Sequence, residues 1–358
     1  MSTPAMKPPI TQSGPIAWVK ENLFGTIGNS IITIVMIAFL AMVIPPAVEW
    51  AFTNAVWMAD NAACRAATGA CWGFITEKHR FIFFGTYPYE EQWRPLIMMV
   101  MLLTLILLTL NTSFWGRTLW ISWIVALPIM YILMQGGILG LTFVTTTQWG
   151  GMPLTLILST FGIVASFPLA VLLALGRRSE LPAIKLICII FIEFIRGVPL
   201  ITLLFMASLM INLFLPEGLS FDKLLRAQIA IIIFVAAYTA EVIRGGLQAL
   251  PRGQEEAADA LGLSYWYKMG FIVLPQALKL VIPPMINNFI GLFKDTTLVS
   301  IIGLYDFLGA VRTAGSDTVW RVFFVDGIIF AAIVYFIFCY GMALYGRYLE
   351  ERLNTERR

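Results

Sequence analysis

The stretch QEEAADALGLSYWYKMGFIVLPQAL, residues 254–278, places acids, alanines and a glycine within a chain that is otherwise mostly apolar. Pro251 and Gly253 end whatever helix precedes it. Gln254 to Leu261 are good helix formers, and Gly262 stands where a left-handed C-terminal cap belongs. On that helix Ala257, Ala260 and Leu261 share one face at i, i+3, i+4 spacing, while Glu255, Glu256 and Asp259 fall elsewhere. Ser264 is positioned to cap a second helix that starts at Tyr265 and runs towards Leu274-Pro275. Two short helices about a glycine turn make a compact knob, and small alanines let a partner's backbone come close. The same composition also suits an amphipathic linker lying on a bilayer surface.

The surroundings of the knob show what it projects from. The 358 residues are 59% hydrophobic and 13% charged, with a mean hydropathy of +0.82, which is outside the range of soluble domains and places the chain in a membrane. Its net charge of +3, from dispersed basic residues, excludes a nucleic-acid surface. Apolar stretches long enough to cross about 30 Å of hydrocarbon occur near 26–48, 95–115, 118–135, 152–175, 185–215, 227–248, 276–303 and 325–346. That predicts an all-α membrane protein with about eight spans. With the N-terminus inside, fourteen basic residues fall on the cytoplasmic side and eight outside. This bias puts both termini, and the knob, in the cytoplasm.

We divide the chain accordingly. Residues 1–25 form a polar cytoplasmic tail, and 26–148 a three-span extension with an external segment at 49–94. Residues 149–350 form a five-span core carrying the loop 252–275, and 351–358 a second cytoplasmic tail. Cys64 and Cys71, seven apart in the external segment, are expected to close a small disulfide loop in an oxidising compartment. Cys188 and Cys339 lie in spans and are expected to stay reduced.

Charges within spans need a partner or a watery cavity. Glu193 and Arg196 stand three apart and are expected to pair on one helix face; Glu241 and Arg244 repeat that spacing. Lys294 and Asp295 are adjacent, so each is expected to reach towards another span. Either substrate contact or an ion pair holding helices in register answers these spacings. Gly197 and Pro199 favour the first, because a proline frees backbone groups and broken helices line cavities rather than lipid. Pro283 and Pro284 are expected to interrupt span 7 in the same way.

Glu256-Ala257-Ala258, three residues, Gly262, nine residues, Ile272, one residue and Leu274-Pro275 resembles the EAA loop of ABC importer permeases, spacing included. The segments EFIRGVPL (193–200), AYTAEVIRGGLQALPRGQEEAADALGLS (237–264) and FKDTTLVSIIG (293–303) are similar to the polar amino-acid permeases of the histidine and glutamine type. The likeness covers about residues 150–350, and the three extra spans resemble the larger permease of general L-amino-acid uptake systems. The resemblance implies a type I importer core in a bacterial inner membrane, moving polar L-amino acids by alternating access. It also implies a separate ATPase carrying ATP and Mg, a second permease chain, more often a different chain than a copy, and a periplasmic binding protein. Glu256, Ala257, Ala258, Gly262, Leu274 and Pro275 then belong to the ATPase-coupling loop. The candidate translocation path comprises Glu193, Arg196, Gly197, Pro199, Lys294 and Asp295.

No G-x-x-x-x-G-K-[ST] loop occurs, so no P-loop for ATP lies in this chain, and no resident cofactor is expected. His79 is the single histidine, and the four cysteines lack metal-site spacing. An ion-coupled secondary transporter, with Glu193 or Asp295 carrying a proton or holding sodium, is the competing reading, and it has no use for a cytoplasmic docking knob. An integral-membrane enzyme would need a nucleophile, metal set or acid–base pair, and no span presents one.

Overall fold

The computed structural model describes residues 14–355 apart from 217 and 219, and among them helices are the only extended secondary structure. Fifteen α-helices follow in order: α1 (Pro15–Leu23), α2 (Ile27–Val48), α3 (Asn61–Ala66), α4 (Gly73–Phe84), α5 (Trp93–Leu110), α6 (Arg117–Gln135), α7 (Gly151–Arg177), α8 (Pro182–Gly197), α9 (Leu200–Met210), α10 (Lys223–Ala249), α11 (Gly253–Ala260), α12 (Tyr265–Tyr267), α13 (Leu274–Asp295), α14 (Phe307–Ala314) and α15 (Phe324–Thr355). Among the described residues seven helical segments are long and apolar enough to cross a membrane, and α8 with α9, bent by 104°, makes an eighth if the pair is counted as one span. The expected polar tail contains α1, which Pro15 opens at the first helical turn. Residues 1–13 and 356–358 of the two tails lie outside the described residues.

The chain forms two compact units, Met1–Thr76 and Glu77–Arg358, with the boundary inside α4. In the first, α2 is apolar, long enough to cross a membrane, and without a buried residue. The stretch after it is knitted by local contacts. Asp60 caps α3 by accepting from the N–H groups of Ala62 and Ala63 at 2.9 and 3.1 Å. The Trp72 indole donates to the Ala51 carbonyl at 2.7 Å, and Cys64 and Cys71 are disulfide-bonded with Cα atoms 5.4 Å apart.

In the second unit α10 packs between α7 and α13 along small residues. Ala170, Ala174, Ala236, Ala240 and Ala277 are completely buried in this seam, and a side chain at Gly246 would press on the Ala277 carbonyl. Small residues here let backbones approach, which is how helices associate where lipid offers no hydrophobic drive. Residues 77–148, assigned above to the extension, join this unit with the core. Arg94, assigned above to the external segment, is fully buried inside α5. Its Nε donates to the Leu133 carbonyl at 2.7 Å and its Nη1 to the Thr142 carbonyl at 2.9 Å. It thereby satisfies a carbonyl at the C-terminal end of α6, where a cation is favoured.

One expectation about the spans is corrected. Pro283 and Pro284 lie inside α13, which runs unbroken through both. Each removes one donor from the ladder, a loss that a packed transmembrane helix tolerates.

Candidate functional site

The knob is α11 and α12 joined by Gly262. Gly262 has φ +69°, its N–H donates to the Asp259 carbonyl at 2.9 Å, and the Leu263 N–H donates to the Ala258 carbonyl at 3.2 Å. These bonds close the helix end through a left-handed residue, the conformation glycine adopts without strain. A Cβ at Gly262 would touch nothing, so the constraint there is the backbone alone. Ala258 is buried and turns inward, whereas Ala257, Ala260 and Leu261 are exposed, Leu261 at 77%. Glu256 is exposed beside this stripe. Ser264 precedes α12, but its side chain makes no capping bond. Leu274 opens α13 with Pro275 in its first turn, where the missing N–H is no loss.

The acids of the knob that turn away from its apolar stripe are tied to the protein. Glu255 pairs with Arg178 at 2.8 Å and Asp259 with Lys268 at 2.6 Å.

Glu193, Arg196, Glu241 and Arg244 form one cluster with Arg177, and its pairing differs from the expected i, i+3 bridge between Glu193 and Arg196. Glu193 pairs with Arg177 at 2.8 Å, and Arg196 faces Glu241 at 3.6 Å. Glu241 also meets Arg177 at 2.7 Å and Arg244 at 2.9 Å. Arg177, at the end of α7, supplies a closer cation for Glu193 than its helix neighbour does. Three arginines thus surround the Glu241 carboxylate, two of them from other helices. Arg196 immediately precedes the break at Gly197–Pro199, where α8 ends and α9 departs at 104°. The guanidinium of Arg196 lies over the Tyr238 ring, 5.5 Å from its centroid, and the Tyr238 hydroxyl donates to the Arg196 carbonyl at 3.4 Å.

Tyr238 also lines a cavity of about 270 Å³ between α10 and α13, with Phe234, Asn287, Asn288, Gly291 and Asp295 among its other walls. Asp295 is half-buried there and Lys294 is exposed. The Nδ2 of Asn288 and the Nε of Arg196 are buried without a hydrogen-bond partner among the described residues.

The sequence reading missed Arg177, Arg178, Tyr238, Asn287 and Asn288. Both arginines stand at the end of an apolar span, which is a usable signal for partners in a neighbouring acidic loop. Asn287 and Asn288 are polar residues in an apolar span, a pattern that marks helix contacts or pathways.

Residues 166–355 match the family described as binding-protein-dependent transport system inner membrane component. The chain belongs to this family. It is 47% identical over 352 residues to the inner membrane amino-acid ABC transporter permease protein YhdY of Escherichia coli K12, covering 96% of this chain and 95% of that protein. It is 37% identical to the glutamate/glutamine/aspartate/asparagine transport system permease protein BztC of Rhodobacter capsulatus, over 98% of this chain and 96% of that one. Among solved structures, an amino acid ABC transporter resembles it with a TM-score of 0.50 and 30% identity, over 56% of this chain and 92% of the other. The full-length relatives thus share the extension as well as the core. The protein is a multi-pass transport component of the inner membrane.

Proposed function

We propose that this chain is the larger permease subunit of an ABC importer for polar L-amino acids. A separate ATPase holds ATP and Mg²⁺, an external binding protein delivers substrate, and a second, homologous permease chain completes the pathway. Both termini and α11 lie in the cytoplasm. Glu256, Ala257, Ala258, Gly262, Leu274 and Pro275 form the loop that docks in the ATPase, and its closure drives alternating access. Glu193, Arg196, Gly197, Pro199, Lys294 and Asp295 border the path. The observation that carries this reading is the near-full-length match to an amino-acid ABC permease. The exposed Ala257, Ala260 and Leu261 stripe beside a glycine-closed helix end supports it. The unpartnered donors of Asn288 and Arg196 suit groups that meet a carboxylate or amide in transit.

The test is uptake and ATP hydrolysis by the reconstituted complex carrying Gly262→Val or Glu256→Lys. Forcing a β-branched residue to positive φ costs roughly 2 kcal/mol, and reversing a charge at a docking face opposes association. Both variants are expected to insert normally and to lose at least about ten-fold in uptake, through ATPase loss or uncoupled hydrolysis. Wild-type coupling in both would make the knob a surface linker.

A further inference from the structure

Arg177 and Arg178 are consecutive at the end of α7, yet their guanidinium groups point to different structures. Arg178 Nη2 meets Glu255 Oε1 of α11 at 2.8 Å. Arg177 Nη1 meets Glu241 of α10 at 2.7 Å and Glu193 of α8 at 2.8 Å. From Glu241 the contacts continue to Arg196, which abuts the break between α8 and α9, and from Arg196 to Tyr238 in the cavity wall. A line of direct contacts therefore joins the knob to the cavity, and both halves of it start from adjacent residues on one helix end.

We propose that the Arg177–Arg178 pair positions α11 relative to the α8–α9 break, so that displacement of the knob is passed to the cavity wall through the Glu241 carboxylate. This deepens the coupling reading above and rests on it. Packed alanines hold α7 against α10, so the arginines are not needed to keep these helices together. What the ion pairs add is directional and exchangeable. Glu241 has three arginines within 4 Å, Arg177 at 2.7, Arg244 at 2.9 and Arg196 at 3.6 Å, so they are held unequally. It can trade one for another as helices shift, which gives the cluster alternative arrangements in place of a single locked one.

The experiment uses the complex purified with its ATPase, second permease chain and binding protein, reconstituted in vesicles and supplied with a radiolabelled mixture of L-amino acids. Arg178→Ala and Glu255→Gln each remove the same bridge from opposite sides. Both are expected to retain the ATPase on co-purification and to hydrolyse ATP, but to lose most stimulation by loaded binding protein, with uptake down about five-fold or more. The exchanged pair Arg178→Glu with Glu255→Arg is expected to recover uptake to within about two-fold of wild type. A merely structural bridge would lower thermal stability in step with uptake and leave the ratio of transport to hydrolysis unchanged. Wild-type stimulation in both single variants, or no recovery in the exchanged pair while each protein is folded, overturns the proposal. Gly262→Val separates the two readings. If it uncouples and Arg178→Ala does not, the arginine link fails alone; if neither uncouples, the coupling loop itself was misassigned.

Discussion

At its Gly151 end, helix α7 is held by backbone. Gly151 has φ +63° and Gly85 has φ +61°, and the Gly151 N–H donates to the Tyr305 carbonyl at 2.8 Å. A methyl at Gly151 would overlap the Phe83 carbonyl, and one at Gly85 would overlap Gly150. Beside this seam the Phe83, Phe307 and Phe330 rings pack with centroids 5.6 to 6.3 Å apart. The fully buried Asp306 caps α14 through the Gly309 N–H and accepts from the Tyr335 hydroxyl, both at 2.9 Å. At the Arg177 end the same helix is held by partly buried ion pairs that share an arginine and a carboxylate. Close backbone packing has one solution and resists shear; shared ion pairs have several of similar energy. One end of α7 is held as an anchor and the other as a joint.

The largest expected effect breaks the anchor. Gly151→Val combines positive-φ strain with a backbone overlap, together about 3–4 kcal/mol. The thermal midpoint of the purified protein is expected to fall by roughly 5 °C, with uptake lost only in proportion to folded protein. An unchanged midpoint would mean that the seam rearranges freely and that the contrast between the ends is false.

The joint should behave in the opposite way. Arg177→Ala leaves the alanine packing intact, so its midpoint should stay within about 3 °C of wild type, while uptake drops about five-fold. In a double-mutant cycle, Arg177 with Glu241 should show a larger coupling than Glu193 with Arg196, because the latter two meet only through intermediaries. The reverse order would restore the simple i, i+3 pair. A fall in midpoint as large as that of Gly151→Val would make both ends anchors.

How much of this contrast was legible beforehand depended on the kind of interaction. Periodicity and hydropathy located the spans, and the EAA spacing located the knob and its positive-φ glycine, because these are local properties of the chain. The break at Gly197–Pro199 was legible for the same reason. Pro283 and Pro284 were misread as an interruption, since a packed helix supplies compensation that local rules do not contain. The pairing of Glu193 was misread because Arg177 is sixteen residues away and approaches only when α7 folds against α8. Gly85 and Gly150–Gly151 carried no signal for one another, since a close approach between distant backbones is a tertiary fact. The burial of Arg94 was not legible because its shortest bonds go to the Leu133 and Thr142 carbonyls, far along the chain; only the longer contact to Glu91, three residues earlier at 3.5 Å, follows a side-chain pattern.

A smaller effect at the anchor comes from Asp306. Burial pushes its carboxyl above the usual carboxylate range, against the Gly309 and Tyr335 hydrogen bonds that favour the charged form. With the folded value raised, its contribution to stability is complete below the unfolded value of about 4 and is lost as pH rises through the folded value. Asp306→Asn keeps an acceptor oxygen for the Gly309 N–H and turns an NH2 donor towards the Tyr335 oxygen in place of the second carboxylate oxygen; being neutral at every pH, it should remove that loss. Its unfolding midpoint should therefore decline less than wild type's between about pH 4 and 7. Parallel curves would show that Asp306 is ionised throughout at no cost, and that water reaches it.

The smallest expected effect lies on the exposed edge of the same end. Lys78 Nζ meets Asp317 Oδ2 at 2.7 Å, and that hydrogen bond, followed by one from the Val319 N–H, holds the Asp317 carboxyl below the usual range. The sign is opposite to that of Asp306: a depressed value contributes stability above the unfolded value of about 4, lost as pH falls through the folded one. The pair is solvated, and exposed ion pairs contribute little. Lys78→Ala should therefore leave the midpoint at neutral pH within about 2 °C of wild type, and the small difference should vanish below about pH 3 or in high salt. A loss comparable to that of Gly151→Val would require this bridge to carry the anchor, so that charge rather than backbone packing would hold both ends of α7.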